Sequence, residues 1–121
     1  MAGNPGPGYL KNPAHEVSLT EETRRVQVRR NGDLLVDSDA ALVMHETGHQ
    51  PTYYLPRRHA QMEKFQRSDH STYCPYKGTA SYFSLAGAEN AVWSYETPYD
   101  EMAGIGGYLA FYPDKVEITP L

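Results

Sequence analysis

Ten glycines and nine prolines are scattered through 121 residues. Such punctuation favours short segments joined by tight turns over long helices, since proline removes a helical hydrogen bond and glycine lowers helix propensity. Ten tyrosines push the same way, because aromatic side chains suit a pleated, half-buried surface. The clearest segment is Arg25-Val26-Gln27-Val28-Arg29, where apolar and polar residues alternate at period two. Asn31-Gly32 then supplies the preferred pair for a type I′ turn, which predicts a hairpin onto Asp33 to Ser38.

The same reading predicts strands over Ala40 to Glu46 and Thr52 to Leu55, the latter stopped by Pro56. It predicts one short helix over Ala60 to Gln66, with Met62 and Phe65 three apart, and an antiparallel pair over Thr79–Leu85 and Ala91–Tyr95. Tyr108 to Tyr112 and Lys115 to Thr119, separated by Pro113-Asp114, predict a closing hairpin. Residues Met1 to His15 lack apolar periodicity, so residues 1–15 are expected to be an extended or disordered arm and residues 16–121 a single β domain.

The net charge of −4 argues against a broad phosphate-binding face, so nucleic acid is not the expected partner. No apolar run approaches the roughly 20 residues of a membrane span, and the opening residues lack a secretory pattern. The chain is read as cytoplasmic, with no membrane partner. Cys74 is the one cysteine, which excludes an intrachain disulfide and a four-cysteine zinc knuckle.

His45-Glu46-Thr47-Gly48-His49 matches the His-Glu-x-x-His pattern of zinc hydrolases, in which a helix sets two imidazoles on one face and the glutamate activates the metal-bound water. Gly48 and Pro51 disfavour that helix, and no third ligand has a recognisable spacing. Zinc held by His45 and His49 is therefore the alternative, and no cofactor is the main expectation. Arg57, after Pro56, and Lys77, beside Gly78, are cations at rigid turns and suit the capture of an anion. Cys74 beside such cations is a nucleophile candidate, with a small buried hydrophobe as the bland reading. Trp93 and Tyr95 either line a ligand pocket or pack the core. Asp37-Ser38-Asp39 and Lys77-Gly78-Thr79 are chance matches to metal and phosphate motifs.

Tyr54-x-Pro56-Arg57, the run from Cys74 to Tyr82, Ala91-Val92-Trp93-Ser94-Tyr95 with Pro98, and Gly107 to Tyr112 together resemble the domain-of-unknown-function 427 family, from about Arg24 to Thr119. Its members are small, mostly bacterial proteins sometimes labelled nucleotidyltransferase-like, without an established activity. The resemblance implies an Mss4-like β-tent of two antiparallel sheets, in a zinc-free form. It places family motif positions at Glu46, Tyr54, Pro56, Arg57, Cys74, Lys77, Gly78, Trp93 and Tyr95. His59 stands where it implies an acidic residue, and it makes His45 and His49 incidental.

The resulting expectation is a domain that binds a small polar or anionic molecule in one cleft lined by Tyr54, Arg57, Lys77, Trp93 and Tyr95. Cys74 and Glu46 are the candidates for chemistry, and whether a reaction follows is left open. A protein-interaction module with exposed tyrosines is a further alternative, and a homodimer is among the possible assemblies.

Overall fold

The structure is a computed structural model that describes residues 3–121; Met1 and Ala2 of the expected arm lie outside the described residues. These form ten strands: β1 (Val17–Glu21), β2 (Val26–Arg30), β3 (Asp33–Ser38), β4 (Leu42–Glu46), β5 (Thr52–Tyr54), β6 (Gln66–Cys74), β7 (Gly78–Leu85), β8 (Ala88–Tyr95), β9 (Ala110–Phe111) and β10 (Glu117–Pro120). The fold is mainly β and every strand pairing is antiparallel. The strands divide into three sheets, ordered β1-β4-β5, β10-β2-β3 and β6-β7-β8-β9, where the β-tent reading expects two. An isolated bridge, Leu55 to Leu109, links the end of β5 to the start of β9, and another, Val36 to Ala60, ties β3 to the segment after β5. No helix among the described residues is long and apolar enough to cross a membrane.

The hairpin at Asn31-Gly32 forms as its residues dictate: both adopt left-handed backbone, φ 50° and 82°, and Arg30 pairs with Asp33 across them. β7 and β8 pair as expected, with Tyr82 opposite Trp93 and Ser81 opposite Ser94. Successive strand residues point to opposite faces, so this sheet feeds two cores. Phe83, Val92 and Phe111 join Val26, Val28, Leu35 and Val36 from β2 and β3 in the first. Ala80, Tyr82, Tyr95 and Ala110 join Met44 and Tyr54 from β4 and β5 in the second, with Trp93 packed against it.

Three expectations need correction. The helix over Ala60 to Gln66 is instead two short 3-10 turns, Arg57–His59 and Met62–Lys64. Ala60 is extended and bridges Val36, and the Gln61 amide donates to the Leu35 carbonyl, so pairing with β3 overrides the weak helical period. The closing hairpin does not form, because β10 pairs with β2 rather than with β9. Ile118 lies opposite Val28 and packs on the first core, and Pro120, which has no N–H, sits in an edge strand.

The third concerns the arm. Residues 3–15, expected to be extended or disordered, lie against the domain and include α1 (Gly8–Lys11). Gly8 is buried, and a Cβ there would sit 2.7 Å from the Tyr76 ring, so only glycine permits this approach. The Gly8 amide donates to the Pro75 carbonyl at 3.0 Å and Gly6 donates to Glu101 at 2.9 Å.

Candidate functional site

On β4, Leu42, Met44 and Glu46 share a face, and that face turns toward the second core. Glu46 therefore reaches inward at the strand end. Lys77, in the turn between β6 and β7, donates to its Oε1 at 2.6 Å, and His15 Nε2 lies 2.9 Å from its Oε2. The side chains of Glu46, Lys77 and His15 are only 10%, 14% and 15% exposed. Burial works to raise the Glu46 pKa, but hydrogen bonds from Lys77 and His15 outweigh it and hold the carboxyl below its ordinary value. An ionised carboxylate only accepts, so His15 donates through Nε2.

Tyr76 stacks on the His15 ring, centroids 4.2 Å apart and planes 26° from parallel. Tyr9 meets Tyr76 edge-on at 5.1 Å and donates its hydroxyl to the Tyr76 carbonyl. Burial, with Glu101 nearby, pushes the Tyr9 phenol up to about 12. Beneath this group Tyr54 and Tyr95 are nearly closed from water, and burial raises both phenols. The Trp93 indole N–H donates to the Tyr54 oxygen at 3.2 Å. Cys74 is half-buried and packs on the same core.

The other face of the sheet carries different chemistry. Ser94 alternates with Trp93 and Tyr95 on β8, so it points away from them. Its buried hydroxyl donates to the Tyr108 carbonyl at 2.6 Å and accepts from Arg57 Nη2 at 3.0 Å. Arg67, on β6, donates to the Ser81 hydroxyl at 3.1 Å and pairs with Glu96 at 2.7 Å. The Arg57 and Arg67 guanidinium carbons lie 5.3 and 5.4 Å from the centre of the Phe83 ring. Glu96 is 3.9 Å from Arg57 Nη1, and Arg57 Nε is buried with no hydrogen-bond partner among the described residues.

The structure thus separates the residues expected in one cleft. Tyr54, Trp93 and Tyr95 lie together on the second-core face, as does Lys77 through Glu46, whereas Arg57 lies on the face opposite. Strand alternation is the physical reason: Trp93-Ser94-Tyr95 places its neighbours on opposite faces. The His-Glu-x-x-His stretch lies on a strand end and turn rather than a helix. His45 points away from Glu46 and meets Thr20 at 3.0 Å, while His49 Nε2 is 3.8 Å from Glu46 Oε2. Gly48, with φ 80°, bends the chain in the middle of the motif.

Sequence reasoning missed His15, Tyr9 and Tyr76 on one face and Arg67, Ser81, Ser94 and Glu96 on the other. The aromatic residues of the Gly/Pro-rich arm were the available signal for the first set. A surface cleft of about 860 Å³ contains none of the expected site residues; Arg30, Lys64 and Phe65 are among those that line it. Its cations are already engaged, Arg30 by the carbonyls of Ala86, Gly87 and Lys115 and Lys64 by Asp33.

No curated protein matches the chain. Residues 18–120 match the family model described as Domain of unknown function (DUF427), a stretch that contains both faces of the four-stranded sheet and excludes His15 and Tyr9. By that match, which runs over nearly its whole length, the chain belongs to the domain-of-unknown-function 427 family.

Proposed function

We propose that the domain binds a small anionic ligand of the phosphate or carboxylate class between Arg57 and Arg67. What carries this reading is the balance of charge at that spot: two guanidinium groups lie over the single Phe83 ring with one carboxylate, Glu96, between them. One carboxylate leaves a positive charge uncompensated, and the guanidinium fork matches a planar or tetrahedral oxyanion in two-point geometry. The buried, unpartnered Arg57 Nε supplies a donor that an acceptor would satisfy. Lys77 is a poorer candidate, since its ammonium already meets Glu46 at 2.6 Å.

Glu96 occupies the place the ligand would take and is its internal competitor. The reading keeps the domain in the cytoplasm, in line with a single cysteine, and retains the Mss4-like β-tent ancestry that the resemblance implies. The test is titration of the full chain with inorganic phosphate, followed by amide shifts of Ser81, Ser94 and Arg67. Saturable shifts are expected in the wild type, tighter binding in Glu96→Gln, and none in Arg57→Gln. Absence of shifts in both the wild type and Glu96→Gln would falsify the reading.

A further inference from the structure

His15 lies outside the residues matched by the family model, yet it joins the enclosed polar group of Glu46 and Lys77. Its ring is bound as a ligand would be. One flat face stacks on Tyr76 at 4.2 Å, and its edge nitrogen donates to Glu46 Oε2 at 2.9 Å. The slot's walls come from the domain: Tyr76 and Lys77 lie in the turn between β6 and β7 and Glu46 ends β4, while Tyr9 of the arm adds an edge contact to Tyr76. Lys77, at 2.6 Å, holds the other carboxylate oxygen, leaving Oε2 to the ring N–H. His49, at 3.8 Å, is too far to take that place by hydrogen bonding.

We propose that Glu46, Lys77 and Tyr76 form a binding site for a planar nitrogen heterocycle bearing a ring N–H, and that His15 is its built-in occupant, held there by the arm. The chemistry of the slot selects this class. Stacking on Tyr76 requires a flat ring. The ionised Glu46 requires a donor at the ring edge. Lys77 neutralises Glu46, so the pair accepts a ring of zero or positive charge and disfavours an anion. The slot lies across the sheet from Arg57 and Arg67, so it is separate from the anion reading and stands or falls alone.

The arm is suited to exchange. Apart from His15 it is anchored by contacts of single residues, Asn4 with Asp100, Gly6 with Glu101, Gly8 with Pro75 and Tyr9 with Tyr76, and its helix α1 has only four residues. An intramolecular ligand acts at an effective concentration in the millimolar range or above, so a free heterocycle must outcompete His15 in the wild type but not in its absence.

The experiment titrates imidazole into the full chain and into His15→Ala, reading backbone amide shifts of Glu46, Tyr76 and Lys77. His15→Ala is expected to bind imidazole roughly tenfold or more tightly than the wild type, and adding Tyr76→Leu should remove that gain. Equal binding by the wild type and a folded His15→Ala overturns the proposal. So does equal binding of n-butylamine and imidazole to His15→Ala, since a site that reads only charge has no use for a ring. A second measurement needs no variant. Trypsin cleavage after Lys11 of the wild type, normalised to cleavage of a free peptide spanning residues 8–15, should accelerate several-fold as imidazole displaces the arm. A rate unchanged up to the highest imidazole concentration also overturns it.

Discussion

The two faces of the four-stranded sheet use the same chemistry, a cation beside a carboxylate, at different depths. Glu46 and Lys77 are 10% and 14% exposed, whereas Glu96, Arg57 and Arg67 are 36%, 32% and 55% exposed. Depth decides what each pair does. Water and salt screen the outer pair, whose members gain little by meeting and remain free to exchange partners. The inner pair has given up hydration, so each member depends on the other and loss of one strands a charge. The inner pair therefore depends on its enclosure, whereas the outer one stays open to solvent.

The sharpest break of this contrast is Glu46→Ala. It leaves the Lys77 ammonium without a partner and should cost about 3 kcal/mol, or roughly 10 °C in Tm. Glu96→Ala should cost well under a third of that; equal losses in thermal melts would erase the distinction of depth. Replacing both members, Glu46→Leu with Lys77→Met, should recover most of the loss, because no unpaired charge remains.

Ser94→Ala tests whether the outer face has a rigid base. Its hydroxyl links the Tyr108 carbonyl to Arg57, so removal should cost about 1 to 2 kcal/mol in urea unfolding. A cost near zero would mean that Arg57 is positioned by other contacts.

The inner pair should also shape the acid limb of stability. The folded Glu46 carboxyl has a pKa below its ordinary value, so its contribution is complete above the ordinary carboxylate pKa. It fades as pH falls through the folded value, because protons then bind the unfolded chain preferentially. Urea midpoints measured from neutral pH down to pH 3 should fall less steeply in Glu46→Gln than in wild type. Parallel curves would show that the Lys77 and His15 contacts leave Glu46 unshifted.

The smallest expected effect is Arg67→Gln, at most about 0.5 kcal/mol and absent in 1 M salt. A larger or salt-independent loss would mean that its place on Phe83, rather than its charge, supports the sheet.

Local chemistry made several elements legible. Asn31-Gly32 specified its hairpin, and the β-prone runs Thr79–Leu85 and Ala91–Tyr95 around Gly87 specified the central pair β7 and β8. β1 and β6 were not legible: β6 is exposed at nearly every position, so no apolar period marks it, and it pairs because β7 offers an edge. The candidate residues were identified singly, but their grouping was not. Arg57 and Lys77 carry the same charge at similar turns, and nothing local says that one meets Ser94 and the other Glu46.

The sequence by itself determined that the chain is a short-stranded β domain, where its tightest turn falls, and that Glu46, Arg57, Lys77 and Trp93 deserve notice. Only the tertiary structure decided that these belong to opposite faces, that β10 joins β2, and that His15 returns to Glu46 across 31 positions. Turn type and strand period follow from interactions within a few residues. Partners distant along the chain are chosen by which faces can bury their apolar residues together, and that depends on all ten strands at once.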